Sequence, residues 1–164
     1  MKIKLLVMDV DGTLTDGKIY MGENGEVMKA FNVKDGYAIA HMLPEMGIVP
    51  VIITGRKSMI VENRAKELSI TELYQGVGDK LAQLKRVAEK YNTAPEEIAY
   101  IGDDLNDLEC IEYCGVTACP ADAVEEVKRK VKFVCKKNGG EGTVREFIDI
   151  FKQMINRCNC SVII

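Results

Sequence analysis

The segment KIKLLVMDVDGT, residues 2–13, decides the fold class of this 164-residue chain. Its apolar run ends at Asp9-Val10-Asp11. Continuous apolarity of this length is typical of a strand that is buried on both faces of a parallel sheet. Two further runs, at residues 48–53 and 98–101, also stop at polar clusters. Shorter apolar runs predict additional strands at residues 72–74, 115–118 and 131–134.

Helical periodicity fills the intervals between these strands. It covers residues 37–46, 59–68, 80–91, 123–130 and 143–155. Because strands alternate with helices, we predict an α/β fold: a doubly wound, Rossmann-like parallel sheet in a single domain, residues 1–164. Two short apolar stretches around Gly22-Glu23-Asn24-Gly25 predict a β-hairpin, at about 18–31, inserted after the first strand. The tail, residues 156–164, is expected to be disordered.

The composition is that of an ordinary globular protein and favours a small-molecule partner. A hydrophobic share of 47%, a charged share of 29% and a net charge of −3 give no basis for attraction to nucleic acid or to a membrane. The longest apolar runs are far shorter than the roughly 20 residues that cross a bilayer. Six cysteines occur without a C-x-x-C pair, in a chain long enough to form a core without disulfides. Free thiols and a cytoplasmic location are therefore expected.

Each strong strand ends in polar residues that should share one crevice, because ligands of open α/β sheets bind at the carboxyl ends of the strands. The candidates are Asp9, Asp11, Thr54, Gly55, Arg56, Lys80, Gly102, Asp103, Asp104, Asn106 and Asp107. Converging carboxylates repel one another, and a hard divalent cation relieves that repulsion; an all-oxygen ligand set favours Mg²⁺. Lys80, Arg56 and the Thr54 hydroxyl add the cationic and donor groups that a phosphoryl group requires.

Four ordered motifs carry a family resemblance: Asp9-Val10-Asp11-Gly12-Thr13, Thr54-Gly55, Lys80, and Gly102-Asp103-Asp104 with Asn106-Asp107. Together they resemble the haloacid dehalogenase superfamily of phosphohydrolases. The resemblance implies that Asp9 is the nucleophile, which forms an aspartyl-phosphate, and that Asp11 is the general acid and base. It implies Mg²⁺ bound by the Asp9 carboxylate, the Asp11 backbone carbonyl and Asp103. Thr54 and Lys80 would hold the phosphoryl oxygens. Three further residues would orient the metal, its waters or Lys80: Asp104, Asn106 and Asp107.

The chain has no room for the cap domain that covers the active site in most members of this superfamily, since one helix and a short strand account for residues 57–73. The hairpin and four stretches are similar to a capless subfamily, the 3-deoxy-D-manno-octulosonate 8-phosphate phosphatases: residues 31–37, 54–58, 74–76 and 139–147. This similarity implies a sugar phosphate substrate of lipopolysaccharide synthesis. It also implies a homotetramer in which the hairpins meet at the centre and neighbouring chains help to cover each site. The implied substrate contacts are Asp11, Asn32, Val33, Lys34, Asp35, Gly36, Arg56, Arg64 and Lys80.

Other interpretations remain open. Lys34-Asp35 is compatible with a solvated helix start at which Asp is a cap. Arg64 lies three residues before Glu67, a spacing that suits a surface ion pair. For the whole chain, the alternatives are a phosphatase of a nine-carbon keto-deoxy acid 9-phosphate and a noncatalytic oligomerisation module of the kind fused to cytidylyltransferases. Thr54-Gly55-Arg56 resembles the eight-carbon enzymes, and retention of the motif residues favours catalysis.

Overall fold

The computed structural model describes residues 2–160, and the side chains of residues 2–154. Its centre is a six-stranded sheet in which every neighbouring pair of strands is parallel. In chain order, and including a two-stranded hairpin, the strands are β1 Leu5–Met8, β2 Tyr20–Gly22, β3 Gly25–Met28, β4 Val49–Thr54, β5 Glu72–Gln75, β6 Ile98–Ile101, β7 Val116–Cys119 and β8 Phe133–Val134. The central sheet has the order β5-β4-β1-β6-β7-β8, which confirms the predicted doubly wound α/β fold.

Helices cover both faces of the sheet. They are α1 Val33–Tyr37, α2 Leu43–Glu45, α3 Met59–Glu67, α4 Lys80–Lys90, α5 Leu108–Tyr113, α6 Glu125–Lys128 and α7 Thr143–Cys160. One face of the sheet packs against α2, α3 and α7, and the other packs against α4, α5 and α6. Within the described residues, no helix combines the length and the apolarity needed to cross a membrane.

The strand β1 lies in the middle of the sheet, and this position explains why its sequence is apolar throughout. Leu6 and Met8 are fully buried in the core on one face, and Leu5 and Val7 are fully buried in the core on the other. From β1 the chain adds β4 and β5 on one side of the sheet, then returns and adds β6, β7 and β8 on the other. This reversal of direction opens a crevice at the carboxyl end of β1.

The predicted hairpin is present as a separate sheet of β2 and β3. It is shorter than the predicted span of about 18–31, because the two strands pair only from Tyr20 to Met28. Three of its apolar side chains are well exposed: Met21, Val27 and Met28, at 64%, 63% and 50%. The part of the chain that the structure describes contains no inserted cap domain, since only α3 and β5 lie between β4 and α4.

The helix predicted over residues 37–46 differs from the structure in its start and in its form. The helical segment already begins at Val33, and its middle part, Ala38–Met42, is π-helical. Pro44 explains the wider turn, because proline has no N–H for an α-helical bond and its ring would clash with the carbonyl group of Ala40.

The remaining helices lie where the periodicity predicts them, with three differences. The helix α5 was not predicted, because six residues are too few to show a helical period. The helix α6 is shorter than the predicted 123–130. The helix α7 continues to Cys160. Residues 156–160, which belong to the tail predicted to be disordered, are therefore helical. The end of that tail, residues 161–164, lies outside the described residues.

Candidate active site

Polar residues at the ends of three strands meet at the carboxyl edge of the sheet. Asp9 directly follows β1, Thr54 is the last residue of β4, and Asp103 is the second residue after β6. Because β4, β1 and β6 are adjacent and parallel, these side chains converge. Asp9 and Thr54 are buried, with 6% and 2% of their surface exposed. The structure thus brings together the three strand ends that the motifs mark.

Lys80 joins this group from the start of α4. Asp79 fixes that start, because its carboxylate accepts a hydrogen bond from the N–H of Ala82 at 2.8 Å. Nζ of Lys80 donates to Oδ1 of Asp9 at 2.7 Å and to Oδ1 of Asp107 at 2.8 Å. Burial acts to lower the pKa of Lys80, but the two carboxylates outweigh burial and raise that pKa. Lys80 is therefore a buried ammonium group that bridges two aspartates.

Asp107 holds Lys80 in place and is itself fully buried. Its Oδ1 also accepts from the hydroxyl of Tyr100 at 2.6 Å. Its Oδ2 accepts from the backbone N–H groups of Asp103 at 3.0 Å and of Asp104 at 3.3 Å. Because protein donors occupy both oxygens, Asp107 acts on the site through Lys80 and through the loop of Asp103. This geometry agrees with the prediction that Asp107 orients other groups.

The carboxylates of Asp9, Asp103 and Asp107 offer oxygens that lie within 4.8 Å of one another. Burial and repulsion from Asp107 raise the pKa of Asp9 to about 6, although Lys80 opposes this change. Burial, then repulsion from Asp9 and Asp107, raises the pKa of Asp103 to about 8. A hard divalent cation would relieve this excess negative charge, and an all-oxygen donor set suits Mg²⁺. Since protein donors occupy Asp107, Asp9 and Asp103 are the carboxylates that fit a cation.

The turn after Asp11 leaves space for the Asp103 carboxylate. Gly12 has a φ of +96°, which favours glycine, and a Cβ atom at this position would lie 2.1 Å from Oδ2 of Asp103. The next residue, Thr13, donates its hydroxyl to Oδ1 of Asp103 at 3.0 Å. The motif Asp11-Gly12-Thr13 therefore supplies Asp11 and also holds Asp103 beside Asp9.

The Asp11 carboxylate contacts Lys29, a residue that lies outside the sequence motifs. Oδ1 of Asp11 accepts a hydrogen bond from Nζ of Lys29, which directly follows β3. The same Nζ lies 2.8 Å from Oε1 of Glu26, and Oε2 of Glu26 accepts from the Ser58 hydroxyl at 2.5 Å. Burial acts to lower the pKa of Lys29, but the hydrogen bonds to Asp11 and Glu26 raise it. The hairpin thus brings a buried cation to Asp11.

A sequence signal for Lys29 and Glu26 does exist. The two arms of a hairpin begin and end at the same place, and the first arm here leaves from the loop that carries Asp11. The chain must therefore return close to Asp11 at the end of the second arm. Charged residues at that return point are candidates for the site.

Arg56 faces the same part of the cleft. Its Nε lies 3.8 Å from Oδ2 of Asp11, its Nη2 lies 3.7 Å from Oε1 of Glu26, and 48% of its side chain is exposed. The cleft has a volume of about 180 Å³ and is lined by Asp9, Asp11, Thr54, Gly55, Arg56, Asp104 and Asn106. An exposed guanidinium group at the mouth of the cleft suits an anionic ligand.

The segment of predicted substrate contacts at the start of α1 packs against the start of α7. Asn32 caps α1, because its Oδ1 accepts from the N–H of Lys34 at 2.9 Å. Oδ1 of Asp35 accepts from the N–H of Arg145 at 2.7 Å. Burial raises the pKa of Asp35 to about 6. The interpretation of Asp35 as the solvated cap of its own helix is wrong, since Asp35 is buried and caps α7 instead.

Arg64 does not line the cleft around Asp9. Its Nη1 donates to Oε2 of Glu67 at 2.8 Å, so the ion pair suggested by their spacing is present. Gly36 packs against it, because a Cβ atom at Gly36 would lie 2.3 Å from Nη2 of Arg64. Val33 is 78% exposed and also lies outside the cleft lining. Substrate contacts by the predicted residues outside the lining stay predictions: Asn32, Val33, Lys34, Asp35, Gly36, Arg64 and Lys80.

Comparison with known proteins identifies the family to which this fold belongs. Residues 69–148 match the haloacid dehalogenase-like hydrolase family. The chain is 48% identical over 148 residues to 3-deoxy-D-manno-octulosonate 8-phosphate phosphatase KdsC of Escherichia coli K12. That alignment covers 90% of this chain and 78% of the relative. The class is therefore that of the haloacid dehalogenase-like hydrolases.

Solved structures agree at the level of the fold. The 3-deoxy-D-manno-octulosonate 8-phosphate phosphatase of Moraxella catarrhalis, in complex with a magnesium ion, a phosphate ion and KDO, is 38% identical with a TM-score of 0.90, over 98% of this chain and 91% of that chain. The cobalt-bound deoxy-D-mannose-octulosonate 8-phosphate phosphatase of Haemophilus influenzae is 36% identical with a TM-score of 0.89, over 93% of this chain and 88% of that chain. The chain belongs to the 3-deoxy-D-manno-octulosonate 8-phosphate phosphatase family of phosphomonoester hydrolases.

Proposed function

We propose that this protein is a Mg²⁺-dependent phosphatase that hydrolyses 3-deoxy-D-manno-octulosonate 8-phosphate through an aspartyl-phosphate. The observation that carries the proposal is the buried Asp9–Lys80–Asp107 bridge at the carboxyl end of β1, next to Asp103. The similarity to the Escherichia coli phosphatase over 90% of the chain supports the choice of substrate.

Asp9 is the nucleophile. Lys80 holds Oδ1 of Asp9, and Asp107 in turn holds Lys80, so the carboxylate has a fixed orientation at the floor of the cleft. Asp9 attacks phosphorus and forms an acyl phosphate, while the bond from phosphorus to the sugar oxygen breaks. The covalent step divides a difficult hydrolysis into two easier displacements.

Asp11 transfers the proton in both displacements. Its carboxyl group donates a proton to the sugar oxygen as that oxygen leaves. Asp11, now a carboxylate, takes a proton from the water that attacks the phosphorus of the aspartyl-phosphate. This second displacement releases inorganic phosphate and restores Asp9 as a carboxylate. Asp11 lines the cleft beside Asp9, which suits this role.

The Asp9 and Asp103 carboxylates, with the backbone carbonyl of Asp11, would hold Mg²⁺. The raised pKa values of Asp9 and Asp103, about 6 and about 8, support this set, because they report buried negative charge without an equal positive charge. When bound, Mg²⁺ supplies positive charge that neutralises the phosphoryl oxygens. Thr54 and Lys80 add donors to the same oxygens, and Asp104 and Asn106 line the cleft beside them.

Arg56 binds the sugar acid. It is half exposed at the mouth of the cleft, where a guanidinium group can pair with the carboxylate of the substrate. Asn32, Val33, Lys34 and Arg64 lie outside the cleft lining of their own chain, so we assign their substrate contacts to the active site of a neighbouring chain. Asp35 and Gly36 are buried, so they support this segment from within. The exposed Val33, at 78%, lies beside these residues and suits such an interface.

The protein assembles as a homotetramer through its hairpins. The hairpin exposes the apolar side chains of Met21, Val27 and Met28, and burying such side chains between chains stabilises association. The assembly acts in the cytoplasm, which is supported by the free thiols of four buried cysteines: Cys110, Cys114, Cys119 and Cys135.

Phosphate release from the eight-carbon substrate, compared with the nine-carbon keto-deoxy acid 9-phosphate, tests this function. We expect a higher kcat/KM for the eight-carbon substrate, loss of turnover with a chelator, and recovery with Mg²⁺. Asp9→Asn should lower kcat at least about 10⁴-fold, because the nucleophile is lost. The control is Asp16→Asn, since Asp16 pairs with the exposed Lys18 outside the cleft lining. Wild-type turnover by Asp9→Asn would refute the assignment of Asp9 as the nucleophile. Sizing that shows a fully active monomer would refute an active site shared between chains.

A further inference from the structure

Lys29 is a buried cation beside the Asp11 carboxylate. Its side chain is 1% exposed, and it is not among the residues that line the cleft. Its Nζ donates to Oδ1 of Asp11 and lies 2.8 Å from Oε1 of Glu26. Burying an ammonium group costs free energy unless the group is paired, and here one of its two partners is the residue that transfers the proton.

A series of contacts supports Lys29 from behind. Glu26, which pairs with Lys29, accepts a hydrogen bond from the Ser58 hydroxyl at 2.5 Å. The backbone N–H of Ser58 donates to Oε1 of Gln75 at 2.8 Å. Ser58 precedes α3 and Gln75 ends β5, so the ammonium group is tied to the central sheet as well as to the hairpin. Its position relative to Asp11 is therefore fixed by two parts of the fold.

The chemistry of an ammonium group restricts what Asp11 can do. Such a group has three N–H donors and no acceptor. Oδ1 of Asp11 can therefore only accept from Lys29, and a proton carried by the Asp11 carboxyl group has to be on Oδ2. Oδ2 is the oxygen that lies 3.8 Å from Nε of Arg56, and both Asp11 and Arg56 line the cleft.

We propose that Lys29 is a positioning residue for Asp11, an inference that rests on the proposed role of Asp11 as general acid. By occupying Oδ1, Lys29 selects Oδ2 as the oxygen that carries the proton and holds it toward the cleft. When the bond from phosphorus to the leaving oxygen breaks, that oxygen takes the proton from Oδ2, and Asp11 becomes a carboxylate. Without Lys29 the carboxyl group rotates more freely and either oxygen carries the proton, which slows protonation of a basic leaving group.

The test compares aryl phosphates whose leaving groups differ in basicity. p-Nitrophenolate is weakly basic and leaves with little need for a proton, whereas phenolate is more basic and depends more strongly on protonation. Neither substrate has a carboxylate for the protein to recognise. We expect Lys29→Met to lower kcat/KM for phenyl phosphate at least about tenfold more than for p-nitrophenyl phosphate. Asp11→Asn shows how strongly kcat/KM depends on leaving-group basicity when the general acid is absent. Lys29→Arg keeps N–H donors and should recover part of the wild-type dependence.

Two controls separate positioning from folding. Lys18→Met is the same substitution at the start of the other arm of the same hairpin, at a side chain that is 71% exposed, and should change neither substrate's kcat/KM. Glu26→Gln weakens the support of Lys29 and should give a smaller effect in the same direction, which tests the inference even if Lys29→Met does not fold. Thermal unfolding and sizing establish that each variant is folded and assembled. An equal loss with both phosphates, or a raised KM with unchanged kcat, would overturn the inference.

Failure of this inference is distinguishable from failure of the proposed function. If the wild-type protein does not hydrolyse 3-deoxy-D-manno-octulosonate 8-phosphate, the proposed function is refuted. If the wild-type protein does hydrolyse it and Asp11→Asn changes the leaving-group dependence, but Lys29→Met and Glu26→Gln do not, only the role of Lys29 is refuted.

Discussion

Asp107 and Glu72 are buried carboxylates at opposite edges of the sheet, and each is held by a lysine of α4 and by tyrosine. We call the first group the Asp107 cluster: Asp9, Lys80, Tyr100, Asp103 and Asp107. The second is the Glu72 cluster, in which Glu72 accepts from Lys90 at 2.5 Å, from Tyr74 at 2.6 Å and from Tyr91 at 2.9 Å. Lys80 is the first residue of α4 and Lys90 is the last, so one helix supplies the cation for both clusters.

The two clusters differ in their balance of charge. In the Glu72 cluster one ammonium group faces one carboxylate. Burial acts to raise the pKa of Glu72, but the hydrogen bonds from Lys90, Tyr74 and Tyr91 outweigh burial and lower it. In the Asp107 cluster one ammonium group faces three carboxylates, and the pKa values of Asp9 and Asp103 are raised. A balanced buried cluster stabilises the fold, whereas an unbalanced one carries excess negative charge that a bound cation neutralises.

The same substitution at the two ends of α4 should abolish activity at one end and leave it nearly unchanged at the other. Lys80→Met leaves three buried carboxylates without their cation and removes a donor from the phosphoryl site, so we expect kcat/KM to fall at least about 10³-fold. Lys90→Met removes a half-exposed cation far from the cleft, and kcat/KM should stay within about twofold of the wild type. Phosphate release from the sugar phosphate, measured with Mg²⁺ present, compares the two variants.

Thermal unfolding is the control for this pair, because both variants must be folded for the comparison to hold. Comparable losses of kcat/KM in the two variants would contradict the separation of the clusters. So would retention of wild-type activity by Lys80→Met. Either result would mean that the difference in charge balance has no functional meaning.

Stability against pH should distinguish the clusters in the metal-free protein. Asp103 and Asp9 have folded pKa values of about 8 and about 6, both above the ordinary value of 3.8. Their contribution to stability is therefore fully present below about pH 4 and is lost as the pH rises through 6 to 8. Glu72 has a lowered pKa, so its contribution is present above 4.5 and is lost as the pH falls below that value.

Asp103→Asn and Glu72→Gln should separate the loss of stability at rising pH from the loss at falling pH. Asp103→Asn removes the group with the larger rise in pKa, so we expect the decline in melting temperature between pH 5 and pH 8 to become shallower by a few degrees. Glu72→Gln should leave that decline unchanged. Calorimetry of the metal-free proteins across this pH range measures both effects. An unchanged decline in Asp103→Asn would show that the carboxylates of the Asp107 cluster do not repel one another as described.

The sequence predicts the Asp107 cluster far better than the Glu72 cluster. Asp9, Asp103 and Asp107 follow apolar runs whose length identifies buried parallel strands, and parallel strands carry the residues at their carboxyl ends to one edge. Glu72 begins a strand that periodicity also identifies, but nothing local indicates that its side chain is buried with Lys90 and two tyrosines. Charged residues are usually exposed, so a buried charged group becomes visible only when its partners are placed in space.

The contacts that the sequence does not predict join segments that lie far apart in the chain. Asp35 accepts from the N–H of Arg145, 110 residues away, and this contact depends on how α1 packs on α7. Lys29 reaches Asp11 only because the hairpin folds back on the loop from which it starts. Strand ends are set by short local runs, whereas these contacts are set by the tertiary packing of helices and of the hairpin.

Glu72→Gln gives the smallest expected effect and tests whether the Glu72 cluster is purely structural. The amide keeps one acceptor for Lys90 and Tyr91, and Tyr74 can rotate its hydroxyl to accept from the new NH₂ group. What is lost is the charge assistance of these hydrogen bonds, which should lower the free energy of unfolding by about 1 kcal/mol and the melting temperature by about 2–4 °C near neutral pH. The exposed Glu45 on α2 supplies the matched control, Glu45→Gln, which should change neither quantity. Because the balanced cluster has no part in binding the cation or the phosphate, kcat/KM for the sugar phosphate should be unchanged in both variants. A loss of activity in Glu72→Gln without a loss of stability would show that the two ends of α4 are coupled, and that charge balance alone does not separate a structural cluster from a catalytic one.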